Sequence, residues 1–455
     1  MQMQGHVQDI NEIIDNERFS SFQIRTIILC GCVAVLDGFD TQVMGFLVPA
    51  ISRSFGLHVE LFASVFSAGL IGVMIGAMLL GPIADKIGRR IILITATLIF
   101  GLFTLAAADA HSLETLIGFR FLAGLGLGAA MPNAVAYATE FSPLRYQAKI
   151  VSWLFAGIPV GALLAGGLSY WLIPLIGWRG IFEIGGILPI LLTIILAALV
   201  PESVRFLLLK QAPVGQVLAI MRRIAPGVAF QTDQRFISTH TLAKGVPVKY
   251  LFTQGRATGT LLLWVPYLMN LIVIYLVMSW LPALLHEGGL SLSVGISAAT
   301  AFSLGGAAGC LVTGQILRAF GSHRVVFVEF LAAIALVTLL AFFYSRGLLP
   351  IIIITTVLGF VVQGAQAGLN ALVAEFYPTS IRSTGVGWAL GIGRVGAIIG
   401  PIIGGIMLSF DMPISRTFLM CSVPAVIAAI AIFTMMKRVR SGIAKPQDDA
   451  PIIMN

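Results

Sequence analysis

Gly81-Pro82-Ile83-Ala84-Asp85-Lys86-Ile87-Gly88-Arg89-Arg90 follows the second of twelve long apolar runs, and Gly314-Gln315-Ile316-Leu317-Arg318-Ala319-Phe320-Gly321-Ser322-His323-Arg324 follows the eighth. In each, one glycine opens the stretch, another sits seven residues on, and basic side chains close it. Glycine permits close helix approach and positive φ, so each stretch reads as a tight turn between two helices. Asp85 is placed to cap or salt-bridge a neighbouring basic helix end. Other pairs keep nearly the same interval. Glu140-Phe141-Ser142-Pro143 after the fourth run matches Glu375-Phe376-Tyr377-Pro378 after the tenth, and Gly157-Ile158 matches Gly391-Ile392. Repetition at one interval makes the chain two copies of one six-helix unit. The expected fold is all-α and membrane-embedded: twelve transmembrane helices in two pseudo-symmetric six-helix bundles flanking a cavity.

Composition agrees. The chain has 455 residues, 58% hydrophobic and 11% charged, where soluble chains carry about 25% charged residues. The expected spans are 24–48, 61–80, 91–109, 115–139, 148–172, 180–200, 258–282, 295–317, 324–344, 350–373, 383–409 and 414–437. They bound an N-terminal tail (1–23), a first bundle (24–200), a central loop (201–257), a second bundle (258–437) and a C-terminal tail (438–455). Most of the 28 Lys and Arg fall in the tails, the central loop and the even-to-odd connections. By the positive-inside rule these are cytoplasmic, as are both termini, in a cell (inner) membrane. The net charge of +8 is thereby explained without nucleic acid. Cys30, Cys32, Cys310 and Cys421 all lie in apolar runs and read as small core residues.

Ionisable residues inside spans carry the functional reading. Asp37 and Asp40 lie three residues apart in the first span, on one helical face. Asp37 is roughly 20 Å into a hydrocarbon layer about 30 Å thick. A carboxylate there costs on the order of 2.5–3.5 kcal/mol on insertion scales, so the pair reads as a cation site, most simply for a proton. Arg120 in the fourth span either snorkels to the interface or pairs with one of these acids. Arg394 in the eleventh lies near midplane, too deep to snorkel. It reads as a bidentate clamp for a carboxylate, with a structural ion pair as the other reading. These acids and Arg394 are expected to look into one vestibule.

Phe39, Asn133, Tyr137, Trp153, Asn270, Tyr275, Gln363, Gln366, Asn370 and Trp388 are candidates for lining that vestibule. The amides are the stronger ones, because polar groups avoid lipid, whereas aromatic rings in membrane helices mostly pack. Glu140 joins Asp37, Asp40 and Arg120 as a coupling candidate. Gly81, Asp85, Arg89, Arg90, Arg318, His323 and Arg382 are expected at the gating turns. Glu183 and Glu329 lie near span ends and read as interfacial. Pro201-Glu202-Ser203-Val204-Arg205 closes the first half. No nucleophile–base set, phosphate loop or metal-ligand spacing occurs, so neither an enzyme nor a cofactor or metal is expected.

The turn at 81–90 resembles the signature loop of the major facilitator superfamily. Asp37-Gly38-Phe39-Asp40, Gly126-Leu127-Gly128-Ala129-Ala130-Met131-Pro132-Asn133, Phe376-Tyr377-Pro378 and Gly391-Ile392-Gly393-Arg394 are similar to motifs of its aromatic acid:proton symporters. The resemblance covers about residues 20–440. It implies a monomeric carrier importing a small aromatic carboxylate, such as a hydroxybenzoate, protocatechuate or gallate, by proton symport with alternating access. It also implies functional roles at Asp37, Asp40, Asp85, Arg120, Glu140, His323, Arg382 and Arg394. A proton-coupled sugar or drug porter and a membrane chemoreceptor for aromatic acids are the alternatives. Two positions depart from the pattern: Lys86 replaces the usual Arg, and Arg318 stands where the repeated turn would have Asp.

Overall fold

The computed structural model describes residues 7–17, 19–228, 230, 235–237, 248–378, 381–410 and 412–440. Eleven helices among them are long and apolar enough to cross a membrane. One of these, Leu144–Leu199, has 56 residues. At about 1.5 Å per residue it would be more than twice as long as a hydrocarbon core about 30 Å thick. Gly177 interrupts it with φ 70° and ψ −176°, a left-handed φ that favours glycine. It therefore makes two crossings, and the described residues make twelve. This is a multi-pass membrane protein. Large apolar side chains such as Leu175, Phe342 and Ile430 are exposed along the spans, as a lipid-solvated surface requires.

The chain forms two compact units. The first comprises Met1–Thr41, Ala68–Ala165 and Leu175–Ala243. Its elements are β1 (Val7–Asp9), α1 (Ile10–Asn16), the first part of α2 (Ser21–Phe55), most of α3 (Ala63–Ile87), α4 (Arg89–Ala107), α5 (Leu113–Glu140), most of α6 (Leu144–Leu199), α7 (Val204–Leu209), α8 (Val214–Ile224) and β2 (Arg235–Ile237). Glycines set its helix crossings. Gly72 and Gly76 of α3 lie against the carbonyls of Phe121 and Leu125, and Gly124 and Gly128 of α5 against those of Gly69 and Val73. Glycines four apart share a helix face, and without Cβ atoms the two backbones touch. Gly126, on another face, meets Ala96 and Phe100 of α4. Gly38 meets the Ile158 carbonyl and Gly161 the Val35 carbonyl, which brings α2 against α6.

Residues 7–17 and the described parts of 201–237 carry secondary structure of their own. β1 pairs in parallel with β2, Val7 opposite Arg235 and Asp9 opposite Ile237. This small sheet is the one addition to an otherwise helical fold among the described residues. Ile10 and Ile14 of α1 join Val217, Leu218, Met221 and Ile224 of α8 in the unit's buried core.

The second unit comprises Gln42–Ser67, Gly166–Pro174 and Lys244–Asn455. It holds α9 (Ala257–Glu287), α10 (Leu292–Phe320), α11 (Ser322–Phe343), α12 (Leu348–Phe376), α13 (Arg382–Ser409), α14 (Ile414–Met420) and α15 (Val423–Arg440), the last two making one crossing. The α10–α12 contact repeats the α3–α5 one: Gly305 and Gly309 lie against the carbonyls of Thr356 and Phe360, and Gly359 against that of Phe302. The later part of α2 belongs here. Gln42 Nε2 donates to the Met278 carbonyl at 3.2 Å, and Gly45 fits beneath the same oxygen.

Candidate functional site

In the first unit, α2 carries Asp37 and Asp40 and α5 carries Arg120. Asp40 is 0% exposed. Arg120 grips it with a two-pronged fork, Nη1 to Oδ1 at 2.9 Å and Nη2 to Oδ2 at 2.7 Å. Thr104 of α4 donates to Oδ1 at 2.7 Å, and Arg120 Nη2 reaches the Asp40 carbonyl at 3.3 Å. A buried ion pair survives desolvation only with such satisfied geometry. Arg120 is thus buried in the bundle and does not snorkel. Asp37 is half-buried on the adjoining face, with Thr41 Oγ1 3.4 Å from its Oδ1. The two acids occupy different surroundings although one motif carries both. Thr104 went unnoticed in the sequence, because a threonine in an apolar run carries no signal by itself.

The turn at Gly88 gathers the ends of α3, α4, α5 and α6 and the segment that leads into α7. α3 continues through Ile87, so the break is narrower than the whole 81–90 stretch; Gly88 alone leaves the helix, with φ 117°. The Glu202 carboxylate sits there, accepting from Arg90 N at 3.1 Å and Ser203 N at 2.9 Å. A Cβ on Gly88 would overlap it. The acid lies at the positive N-terminal end of α4, where the helix dipole favours it. Arg89 pairs with Glu140 at 3.1 Å, and Ser203 Oγ donates to the same carboxylate. Arg90 Nη2 donates to the Ala197 carbonyl at 2.7 Å.

Glu140, a coupling candidate just past the fourth span, lies in this turn and not with the Asp40–Arg120 pair. Tyr137 is also relocated: it is fully buried, its hydroxyl donates to the Pro201 carbonyl, and its ring lies 4.8 Å from Phe141. Phe39 is buried against Gly185 of α6 rather than lining a cavity. Asn133 turns back on its own helix, Nδ2 to the Ala129 carbonyl at 2.8 Å. Gly81 and Asp85 continue α3, and the Asp85 side chain lies outside what is described. Glu202 and Ser203 went unassigned in the sequence, although Pro-Glu-Ser-Val-Arg was visible there.

In the second unit, Gly393, Gly396 and Gly400 turn one face of α13 onto α9, against Tyr267 and Leu271, the Leu268 carbonyl and the Ile272 carbonyl. Arg394 is exposed on a different face. One turn further along α13, the Ile398 carbonyl accepts from Ser67 Oγ at 3.2 Å. α9 and α12 share a polar ladder. Asn270 Nδ2 donates to Gln366 Oε1 at 3.0 Å and to the Val362 carbonyl at 3.2 Å, and Tyr267 donates its hydroxyl to Asn370 Oδ1. The Oδ1 of Asn270 is buried with no partner among the described residues. Trp388, 44% exposed, stacks on Trp264 with centroids 6.0 Å apart. Tyr275 is half-buried on α9. Gln363 is lodged against Gly306 of α10 and belongs to the helix contact. Tyr267 and Trp264 were missed because aromatic residues on an apolar helix do not reveal their face.

The second copy's turn is at Gly321, φ 82°. Ser322 Oγ donates to Glu375 Oε1 at 2.6 Å, where the first copy uses Arg89 on Glu140. His323 is half-buried and its Nε2 has no partner among the described residues, Arg382 Nε donates to the Tyr377 carbonyl at 3.3 Å, and Arg318 is exposed. Glu329, expected at the interface, is buried within the unit.

Residues 30–361 match the profile of the Major Facilitator Superfamily. The gallate transporter of Pseudomonas putida is 40% identical over 426 residues, covering 93% of this chain and 94% of its own. The 4-hydroxybenzoate transporter of Acinetobacter baylyi is 39% identical over 430 residues, covering 93% of each. Among solved structures, the D-xylose–proton symporter superposes with a TM-score of 0.69 at 17% identity, covering 92% of this chain and 98% of that one. A bacterial Spinster homologue, inward-facing and unoccupied, gives 0.72 at 16%, covering 94% and 99%. At those identities the structures speak for the fold alone. The sequence relatives are transporters rather than enzymes, and on that footing the chain belongs to the aromatic-acid transporters of the Major Facilitator Superfamily.

Proposed function

We propose that this protein imports an aromatic carboxylate of the hydroxybenzoate, protocatechuate or gallate type across the inner membrane, by proton symport with alternating access. The carrying observation is Arg394: a guanidinium exposed on α13, roughly 18 Å along the helix from its start. A cation at such depth has few uses besides pairing with an anion. Its planar fork matches a carboxylate in two parallel bonds. Trp388 and Trp264 offer ring faces for the aromatic body. The Oδ1 of Asn270, buried and without a partner among the described residues, becomes an acceptor for a ring hydroxyl when movement of the α9–α12 ladder uncovers it. Asp37 and the Asp40–Arg120 pair supply the proton-linked groups. The relatives named for gallate and 4-hydroxybenzoate support this substrate class. Cytoplasmic termini follow from the distribution of Lys and Arg.

Uptake of labelled gallate and 4-hydroxybenzoate in cells, with and without an uncoupler, tests the reading. Accumulation that collapses with the uncoupler and is competed by benzoates is expected. Uptake indifferent to the uncoupler removes the proton. Competition by hexoses instead of benzoates removes the aromatic acid.

A further inference from the structure

Glu329 is the eighth residue of α11, and Ala96 is the eighth of α4, the matching helix of the first copy. The alanine packs there without any polar group, so the helix contact has no need of a carboxyl. Glu329 is nevertheless 6% exposed inside the second unit. Thr313 of α10 donates to its Oε1 at 2.9 Å, and its Oε2 has no partner among the described residues. Gly364 and Gly368 of α12 open the space it occupies: a Cβ on Gly364 would sit 2.6 Å from Oε1, and one on Gly368 3.7 Å from Oε2.

The groups facing it from each packed helix are few. α10 presents Thr313 and the thiol of Cys310. α12 presents the two glycines. α15 meets α11 through Phe433 on Phe327, with Lys437 over the Phe433 ring at 4.7 Å. On α11 itself, Arg324 and His323 stand five and six residues earlier, and α14, which also packs on α11, carries Arg416 as its third residue. Among the described residues, no ion pair is made to Glu329. A carboxylate with one oxygen unsolvated and no cation beside it is disfavoured in a membrane interior, whereas the neutral acid is tolerated.

We propose that Glu329 is a second proton-binding site of this carrier: its carboxyl holds a proton in the present arrangement of α10, α11 and α12 and releases it in another state of the transport cycle. The proposal rests on the proton-symport reading. Its test separates the two. Purified wild-type protein and Glu329→Gln, which keeps shape and neutrality, are reconstituted in vesicles. Protons moved per substrate are measured from the pH gradient that just halts net flux. A ratio lower by one in the variant is expected. No proton movement in the wild type sinks symport itself, whereas proton movement at an unchanged ratio in the variant sinks Glu329. Glu329→Ala, which copies Ala96, is the second variant and lowers the ratio equally. Infrared spectra provide an independent readout. The protonated-carboxyl stretch of the wild type loses a component in either variant and at alkaline pH, and a band unaltered by both overturns the proposal.

Discussion

Replacing Arg120 with Met leaves Asp40 buried with only Thr104 to satisfy it. The wild-type carboxylate receives two guanidinium bonds at 2.7 and 2.9 Å and one hydroxyl bond at 2.7 Å. Removing one partner of a buried pair costs about 3–5 kcal/mol, because the other charge stays behind uncompensated. The surviving Thr104 bond returns no more than about 1–3 kcal/mol of that. Asp40→Asn alone strands the guanidinium in the same way. The double variant, Asp40→Asn with Arg120→Met, buries no charge, and its loss falls well below the sum of the single losses. The expected coupling is about 2 kcal/mol or more, at the upper end for residues in contact. Unfolding of the purified proteins in graded denaturing detergent, followed by tryptophan fluorescence, measures it. Uptake falls in all three variants, so stability and not transport decides. An Arg120→Met protein as stable as wild type, or single losses that simply add, refutes the account of the pair.

Arg394→Lys replaces a planar fork with a point charge, and binding of gallate measured by calorimetry weakens about 10–100-fold, the worth of one charged hydrogen bond of about 1.5–3 kcal/mol. Unchanged affinity takes Arg394 out of the substrate site. Asn270→Ala removes the unpartnered acceptor. The preference for 4-hydroxybenzoate over benzoate, read from competition of uptake, narrows about 5–10-fold, in line with a net bond of about 1 kcal/mol. A preference that does not change assigns the ring hydroxyl to another residue.

Much of the fold was legible because the repeat was. Glycines at the two turns, and the Glu-Phe pairs that follow the fourth and tenth spans, recur at nearly one interval, and no other arrangement explains that. What the sequence could not give was the direction of individual side chains. Tyr137 and Asn133 lie on a helix touched on several sides, so a polar residue there has several possible partners. Tyr137 finds the Pro201 carbonyl, and Asn133 its own helix. Glu329 read as interfacial because it is roughly 10 Å from its helix start. Its burial depends on Gly364 and Gly368, on a different helix and far away in sequence. β1 and β2 have three residues each, too few to display an alternating pattern. The Asp40–Arg120 pairing was one of two readings of Arg120, and only the position of α5 relative to α2 decides between them.

The two copies also differ in a way that argues for how the crossings are built. Val73 of α3 meets Gly128 of α5 in the first unit. At the matching places of the second, α10 has Gly306 and α12 has Gln363. In the first the glycine lies on a main-chain carbonyl, in the second on an amide side chain, and the glycine has changed helices. If the crossing requires one small residue and does not care which helix supplies it, then Gly306→Val alone must overpack against Gln363, costing about 1–3 kcal/mol. Gln363→Gly alone must leave a void. The two together recreate the Val73–Gly128 pair and recover most of the loss, since volume-conserving changes are tolerated best. Detergent unfolding of the three variants measures this directly. A double variant no better than the worse single one would mean that Gln363 is held for its amide, and that the crossing is not a matter of volume.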